Sequence, residues 1–396
     1  MYDEISTQSA DYQAPEPTQQ SYFSSEMKQI EGVIADVLRI EHRQTESDSQ
    51  AIVRYTGQLT MDAESAFEYV DAHFATMGYH AFFTTDETDE KHMVIVFRGR
   101  HNPSPRPVWV NLVLFILTIF STMFIGALID GDVQDLNELA GFGLLRGLPY
   151  TLSVMLILGS HELGHYFAAR YHKISVTLPY FIPFPFGLFG TFGAFIQLRE
   201  PMRNRRQLFD IGISGPLMGL VFAIPIIIIG IATAKIGPLP TVEECRAGGE
   251  CSYALEGNSL FYGSIKYVIH GKWLPDDVQD MQLNQLAYAG WTGLFVTGLN
   301  LIPVGQLDGG HILYTLFGKQ ARVVYYPALM GMVILAIINQ AWILWVILLF
   351  FLGRHYAVPM NDITPLDNRR RILGYVMLVV FVLVFTPNPF RFVDLT

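Results

Sequence analysis

From residue 108 onward the chain alternates between long apolar runs and short polar breaks. The runs are about 16–25 residues long, enough for an α-helix to cross a hydrocarbon core of about 30 Å. They fall at 108–129, 148–171, 208–234 and 286–303, twice within 323–353 with a turn near Asn339 and Gln340, and at 372–386. The pattern predicts an α-helical polytopic membrane protein with about seven transmembrane spans. A further apolar run, LPYFIPFPFGLFGTFGAFIQL at 178–198, is full of Pro and Gly. A continuous helix is disfavoured there. It predicts a re-entrant segment, tolerated at membrane depth only where protein or a cavity shields its backbone.

The first hundred residues follow another rule. Residues 1–25 are polar and lack an apolar h-region, so they read as a disordered tail, and insertion is expected to begin at an internal, uncleaved span. Residues 26–105 predict a small soluble N-terminal α+β domain of ββαββ order. Its strands are expected near Val37–Ile40, Ala51–Tyr55, Tyr79–Thr85 and His92–Phe97. Between the strand pairs, Ala66, Phe67, Val70 and Phe74 share one face of a helix that Gly78 would stop. A folded appendage without chemistry is the plain reading of this domain; regulation or docking is the alternative. Residues 106–396 are then the membrane-embedded domain.

Composition sharpens the picture only through its distribution. Hydrophobic residues make up 51% of the chain and charged residues 16%, against about 25% charged in an average soluble chain. The charges crowd into the first 107 residues and the connecting segments, among them the acidic stretch DGDVQDLNE at 130–138. The net charge of −10 argues against nucleic acid as a partner. Lys and Arg gather in one set of connections, for example Arg98 and Arg100, Arg170 and Lys173, Arg203 to Arg206, and Arg369 to Arg371. That set is expected to be cytoplasmic, which puts the N-terminus inside and the C-terminus outside. The two cysteines, Cys245 and Cys251, are too few for a disulfide scaffold or a zinc-binding framework. They fall in the polar loop 235–283 on the opposite side, where a disulfide is permitted.

The second span carries GSHELGHYFA at 159–168, three ionisable groups in a bilayer segment. Such groups cost roughly 2.5–3.5 kcal/mol each near the centre and mark function by default. In H-E-x-x-H, His161 and His165 are one helical turn apart and share a face, so both imidazoles can hold one metal ion. Glu162 stands beside the first ligand, in place for a general base. Zinc suits this donor set. The plain alternative is a pair of polar residues bridging helices. A third ligand must come from few acids. Asp210 opens the third span and reads as a helix-start carboxylate. Asp308, in NLIPVGQLDGGHIL, is the better candidate. Pro303, Gly305, Gly309 and Gly310 around it would break a helix, and topology delivers Asp308 to the depth of the two histidines.

HELGH, the Asn300-x-x-Pro303-x-x-x-Leu307-Asp308-Gly309-Gly310 pattern and the Phe-Gly-x-Phe-Gly-Ala-x-Ile stretch together resemble the site-2 protease family. GTFGAFIQL, ISGPLMGL (213–220) and GNSLFYGSI (257–265) look most like the branch of cyanobacteria and plastids, with relatives in other bacteria. The resemblance covers roughly residues 105–355. It implies an intramembrane zinc metalloprotease that hydrolyses peptide bonds within or near transmembrane helices of substrate membrane proteins. The implied cofactor is Zn2+, held by His161, His165 and Asp308, with Glu162 as general base. Asn300 would hold the oxyanion or the substrate. The expected location is a bacterial inner (plasma) membrane, with lipid and transmembrane substrates as partners. Loop 235–283 is too short for the PDZ domain that many bacterial members carry.

Gly190 to Phe195 reads either as an edge strand that pairs with unwound substrate, with Gly190 and Gly193 near the reacting segment, or as a packing loop. His172 and His311 read as hydrogen-bonding histidines, and Trp342 and Trp345 as interface anchors. Two other functions stay open at this point. A metal transporter would use the histidines as transit ligands, and a proteolytically silent homologue would bind helices without cutting them.

Overall fold

The computed structural model describes residues 19–45, 51–86, 91–100, 107–129, 141–247 and 251–395, in two compact units, Met1–Arg100 and His101–Thr396. Of the expected disordered tail, residues 1–18 lie outside the described residues, and the remainder opens a helix the pattern did not announce, α1 (Gln19–Val37). The acidic stretch at 130–138 also lies outside them.

In the first unit α1 is followed by β1 (Leu38–Thr45), β2 (Ala51–Leu59), α2 (Ala63–Met77), β3 (Tyr79–Thr85) and β4 (His92–Arg98). The strands form one antiparallel sheet in the order β1-β2-β4-β3. Alternation decides its faces: β2 buries Ala51, Val53 and Tyr55 and leaves the residues between them half-buried. Ile30 and Ile34 of α1 and Ala66, Phe67, Val70 and Phe74 of α2 are buried as well. Asp62 caps α2 by accepting a hydrogen bond from the Ser65 amide at 2.9 Å, and Gly78 ends it at φ 78°.

The second unit begins with α3 (Trp109–Ile129) and α4 (Leu148–Tyr171) and the hairpin β5 (Tyr180–Pro183) and β6 (Thr191–Phe195). Next come α5 (Arg205–Thr233), β7 (Lys235–Pro238), α6 (Val242–Arg246), β8 (Ser252–Glu256), α7 (Leu260–His270) and β9 (Gln279–Gln282). The chain then runs through α8 (Gln285–Asn300), α9 (Asp308–Phe317), α10 (Tyr325–Ile338), α11 (Ile343–Leu352), α12 (Asn368–Val384) and β10 (Phe390–Asp394). Four helical runs among the described residues are long and apolar enough to cross a membrane: Trp109–Ile129, Gly143–Tyr171, Arg205–Thr233 and Asp308–Ile338.

Among the described residues, these four stand against the seven spans the pattern predicts. Helix α8 has 16 residues, most of them buried, and α12 has 17. The region 323–353 yields the end of one long run, continuous from α9, and the short α11. Apolar composition reports burial, and it does not separate burial in protein from burial in lipid.

Helices α4, α5 and α8 form the centre. The Gln285 side chain, opening α8, donates to the Arg146 carbonyl at 2.8 Å and accepts from the Tyr150 amide at 3.0 Å. Helices α4 and α8 therefore start at the same end and run parallel. Helix α5 runs between them in the opposite sense: Gly230, near its C-terminus, meets Ala287, while Ser214, nearer its start, meets Gly164. Small residues let these backbones approach closely.

At the end where α8 begins, Cys245 and Cys251 form a disulfide in the polar segment, so the pairing the sequence left open is present. Lys266 of α7 is fully buried, 3.2 Å from Glu256 and 4.0 Å from Asp280. Strand β10 pairs with β8. Trp342 is a correction: it is fully buried, donating to the Pro387 carbonyl at 2.7 Å, rather than anchored at an interface. An indole with a hydrogen-bond partner can be buried whole.

Candidate metal centre

HELGH lies two-thirds of the way along α4, where His161, Glu162 and His165 are all buried. The i, i+4 spacing brings the two rings edge to face, with their Nε2 atoms 3.2 Å apart. Asp308 arrives from another part of the fold. Helix α8 ends at Asn300, the backbone turns through 301–307 with Gly305 at φ 57°, and Asp308 is the first residue of α9. Gly309 and Gly310 do not break the helix, as expected of them, but lie inside it. A Cβ on either would overlap carbonyls of the preceding turn, so they let α9 dock against its own entry loop.

The Asp308 oxygens then stand 3.2 Å from His161 Nε2 and 3.3 Å from His165 Nε2. Asn300 Nδ2 lies 3.3 Å from His161 Nε2. Among the described residues this trio is the group of His, Cys, Asp and Glu side chains whose ligand atoms converge as a metal site requires.

The donors fit a zinc ion. His165 Nδ1 donates to the Ile211 carbonyl at 2.6 Å, so a neutral ring turns its Nε2 lone pair toward His161 and the Asp308 carboxylate. Three acceptors facing one another at 3.2–3.3 Å repel unless a cation lies among them. Zinc bonds of about 2.0–2.2 Å in tetrahedral geometry set donors about 3.3–3.6 Å apart. The hydrogen bond to Ile211 fixes the tautomer and orientation of the ligand ring.

Helix α5 is shaped for these rings. A Cβ on Gly215 would fall within the His165 imidazole, and one on Gly219 would stand 3.2 Å from His161 Nδ1. Neither glycine was singled out from the sequence. The available signal was the 212, 215, 219 spacing, which puts three glycines on one helical face.

Beside the trio is a cavity of about 990 Å³ with mostly aromatic and aliphatic walls, including Phe184, Phe189, Phe192, Phe295 and Trp345. His161, Glu162 and Asn300 line it, as does Gly193 of β6; His165 and Asp308 do not. The cluster therefore meets the cavity on the side of Glu162.

Gly190 is absent from the cavity wall. It stands at φ 74°, its carbonyl accepting from Ser121 Oγ at 2.5 Å, and a Cβ there would meet the α3 backbone. It packs against α3 and does not line the cavity with Gly193. Asp210, the rejected third ligand, is ion-paired with Arg370 and bonded to His172. His311, on α9 three residues after Asp308, is half-buried.

Comparison with known proteins agrees with this geometry. Residues 149–338 match the model of peptidase family M50. The match takes in α4, α5, α8 and α9, and so every member of the trio. Over 320 residues the chain is 29% identical to "Probable zinc metalloprotease EGY2, chloroplastic" of Arabidopsis thaliana, covering 79% of this chain and 56% of the relative. It is 27% identical over 312 residues to "Probable zinc metalloprotease EGY1, chloroplastic" of Oryza sativa subsp. japonica, covering 72% and 52%. The chain thus spans about half the length of these relatives. No solved structure matches it.

Proposed function

We propose that the chain is an intramembrane zinc metalloprotease that hydrolyses a peptide bond within or near a transmembrane helix of a substrate protein. One observation carries the reading: His161, His165 and Asp308 converge with Glu162 inside an apolar bundle, at the wall of an apolar cavity. A transit path for metal would instead string ligands across several depths.

His161, His165 and Asp308 would hold the ion. Zinc held there supplies Lewis acidity, which polarises a carbonyl and makes water a better nucleophile near neutral pH. The Glu162 carboxylate takes a proton from the attacking water and returns it to the departing amine. Asn300 Nδ2 offers a hydrogen bond to charge developing on the carbonyl oxygen. Helical peptide bonds are shielded by their own hydrogen bonds, so the substrate must unwind. β6 pairs with β5 on one side only, and Gly193 on the cavity wall marks it as the edge that takes up the extended segment. The Lys and Arg distribution supports a cytoplasmic first unit, with the second unit in the plasma membrane of a bacterial cell.

Glu162→Gln is the test, with wild type beside it in detergent, a transmembrane substrate, and zinc measured on both. The expected result is retained zinc with cleavage reduced about 10²–10⁴-fold. If both proteins hold zinc and neither cuts a panel of helices, the proposal fails in favour of a binding or transport role.

A further inference from the structure

We infer that Arg370, in the first turn of α12, is a positioning residue for the metal centre: by clamping Asp210 it fixes the register of α5 that lets the Ile211 carbonyl orient His165. This role rests on the metalloprotease reading above. It brings into the site a helix that lies beyond the matched segment 149–338.

The chain of contacts is short. His165 has one polar partner outside the donor cluster among the described residues, the Ile211 carbonyl at 2.6 Å. The neighbour of Ile211 is Asp210, and its two carboxylate oxygens accept from Arg370 Nε and Nη2, each at 2.7 Å. The third guanidinium nitrogen, Nη1, donates to Asp367 at 2.6 Å, and Asp367 also caps α12 through the Arg370 amide at 3.1 Å. His172, at the C-cap of α4, adds a contact to Asp210 at 2.9 Å. One carboxylate therefore ties together the ends of α4, α5 and α12.

Packing against α4 supplies little of this hold. Helices lock against sliding when side-chain ridges sit in facing grooves. The face that α5 turns to α4 carries Gly215 and Gly219, and Gly215 lies directly over the His165 ring. Such a face fits the imidazoles closely, but it offers few ridges to resist a shift along the axis. A shift of one ångström would take a 2.6 Å hydrogen bond out of range. The two-pronged Arg370–Asp210 pair is directional, and a lysine, as a point charge, cannot reproduce it.

Zinc affinity of the full chain in detergent, measured by competition with a chromophoric chelator, tests this together with the visible spectrum of the Co2+-loaded protein. Arg370→Ala should bind zinc about tenfold more weakly, the low end of the range for groups that orient a ligand histidine, and alter the cobalt spectrum. Arg370→Lys should lose about threefold, keeping charge without the fork. Exposed Arg371→Ala should match wild type. Wild-type affinity and spectrum in Arg370→Ala overturn the inference, and so does a loss of equal size in Arg371→Ala. Where Arg370→Ala does not fold, Arg370→Lys decides, and unchanged affinity overturns the role. His161→Ala separates the two levels. If wild type binds zinc no better than His161→Ala, the metalloprotease reading itself has failed and Arg370 falls with it. If zinc binds through His161 and the Arg370 variants match wild type, the positioning role alone is wrong.

Discussion

Gly215→Ala changes one hydrogen to a methyl in the interior of α5, and two effects oppose each other. In a plain helix, Ala is better than Gly by about 0.8–1.0 kcal/mol. Here the new Cβ would lie 2.5 Å from His165 Cδ2 and Cε1, and nearer still to Nε2. Ordinary contact needs about 3.5–4.0 Å, so something must move by more than an ångström. The ring cannot step aside without leaving Ile211, which it holds at 2.6 Å. Nor can α5 retreat cheaply, because α8 packs closely on its other side, where a Cβ on Gly290 would stand 2.7 Å from Ile227.

Overpacking of this kind costs about 1–3 kcal/mol, so the net loss of fold stability is about 0–2 kcal/mol, small enough for the variant to fold. The loss falls instead on the donor geometry. Zinc affinity should drop by at least the 10–100-fold seen when a ligand histidine loses its orienting contact, and cleavage with it. Gly219→Ala calibrates the reasoning. Its Cβ would stand 3.2 Å from His161 Nδ1 and 3.5 Å from its Cβ, a few tenths of an ångström too close, so zinc affinity should fall no more than about threefold. Chelator competition on both variants, with helicity checked by circular dichroism, decides the matter. If Gly215→Ala binds zinc like wild type, or Gly219→Ala is the worse of the two, the proposed fit of α5 over the rings is wrong.

Two further outcomes are expected. Asp280 shares its buried site with Glu256 and Lys266, and burial followed by the Glu256 charge pushes its pKa up from 3.8 to about 6. The folded chain therefore keeps this proton where the unfolded chain has released it. The favourable contribution is complete below pH about 4 and is lost as pH rises through about 6. Asp280→Asn should leave thermal stability unchanged near pH 4 and raise it increasingly toward pH 7.5; a melting-temperature difference that shrinks over that range would reverse the sign. Gly193 stands at φ 100° with open space where a Cβ would go, so Gly193→Ala strains only the backbone of β6. Cleavage should fall about tenfold with zinc content unchanged if β6 receives the substrate, whereas undiminished cleavage returns the hairpin to a packing role.

What could be read from the sequence follows the range of the physics behind it. The His161 and His165 pairing was legible because i, i+4 proximity is a property of one helix and needs no partner. Helix α2 was legible for the same reason: its buried face and its Gly78 stop are both local. Asp308 required one more step, a comparison of depth between two helices, and Gln285 bonding to the start of α4 gives that comparison a structural basis. The span count was harder. α8 is apolar enough to be read as a span although α4 and α5 enclose it, and hydropathy carries no information about which neighbour does the enclosing. Trp342 misled for a related reason, since its amphipathic ring suits an interface and a capped interior site equally well.

Gly215 and Arg370 were invisible on different grounds. A glycine is read as a turn or a close approach only when its neighbour is known, and the neighbour of Gly215 is a ring on another helix. Arg370 sits in the Arg369–Arg371 run that the charge rule assigns to the cytoplasmic side, and that assignment gives a sufficient account of all three arginines. Only the geometry separates them: Arg370 makes three short contacts to two carboxylates, whereas Arg371 is exposed. A residue that satisfies a general rule can thus carry a particular function unnoticed, and the role proposed for Arg370 is of that kind.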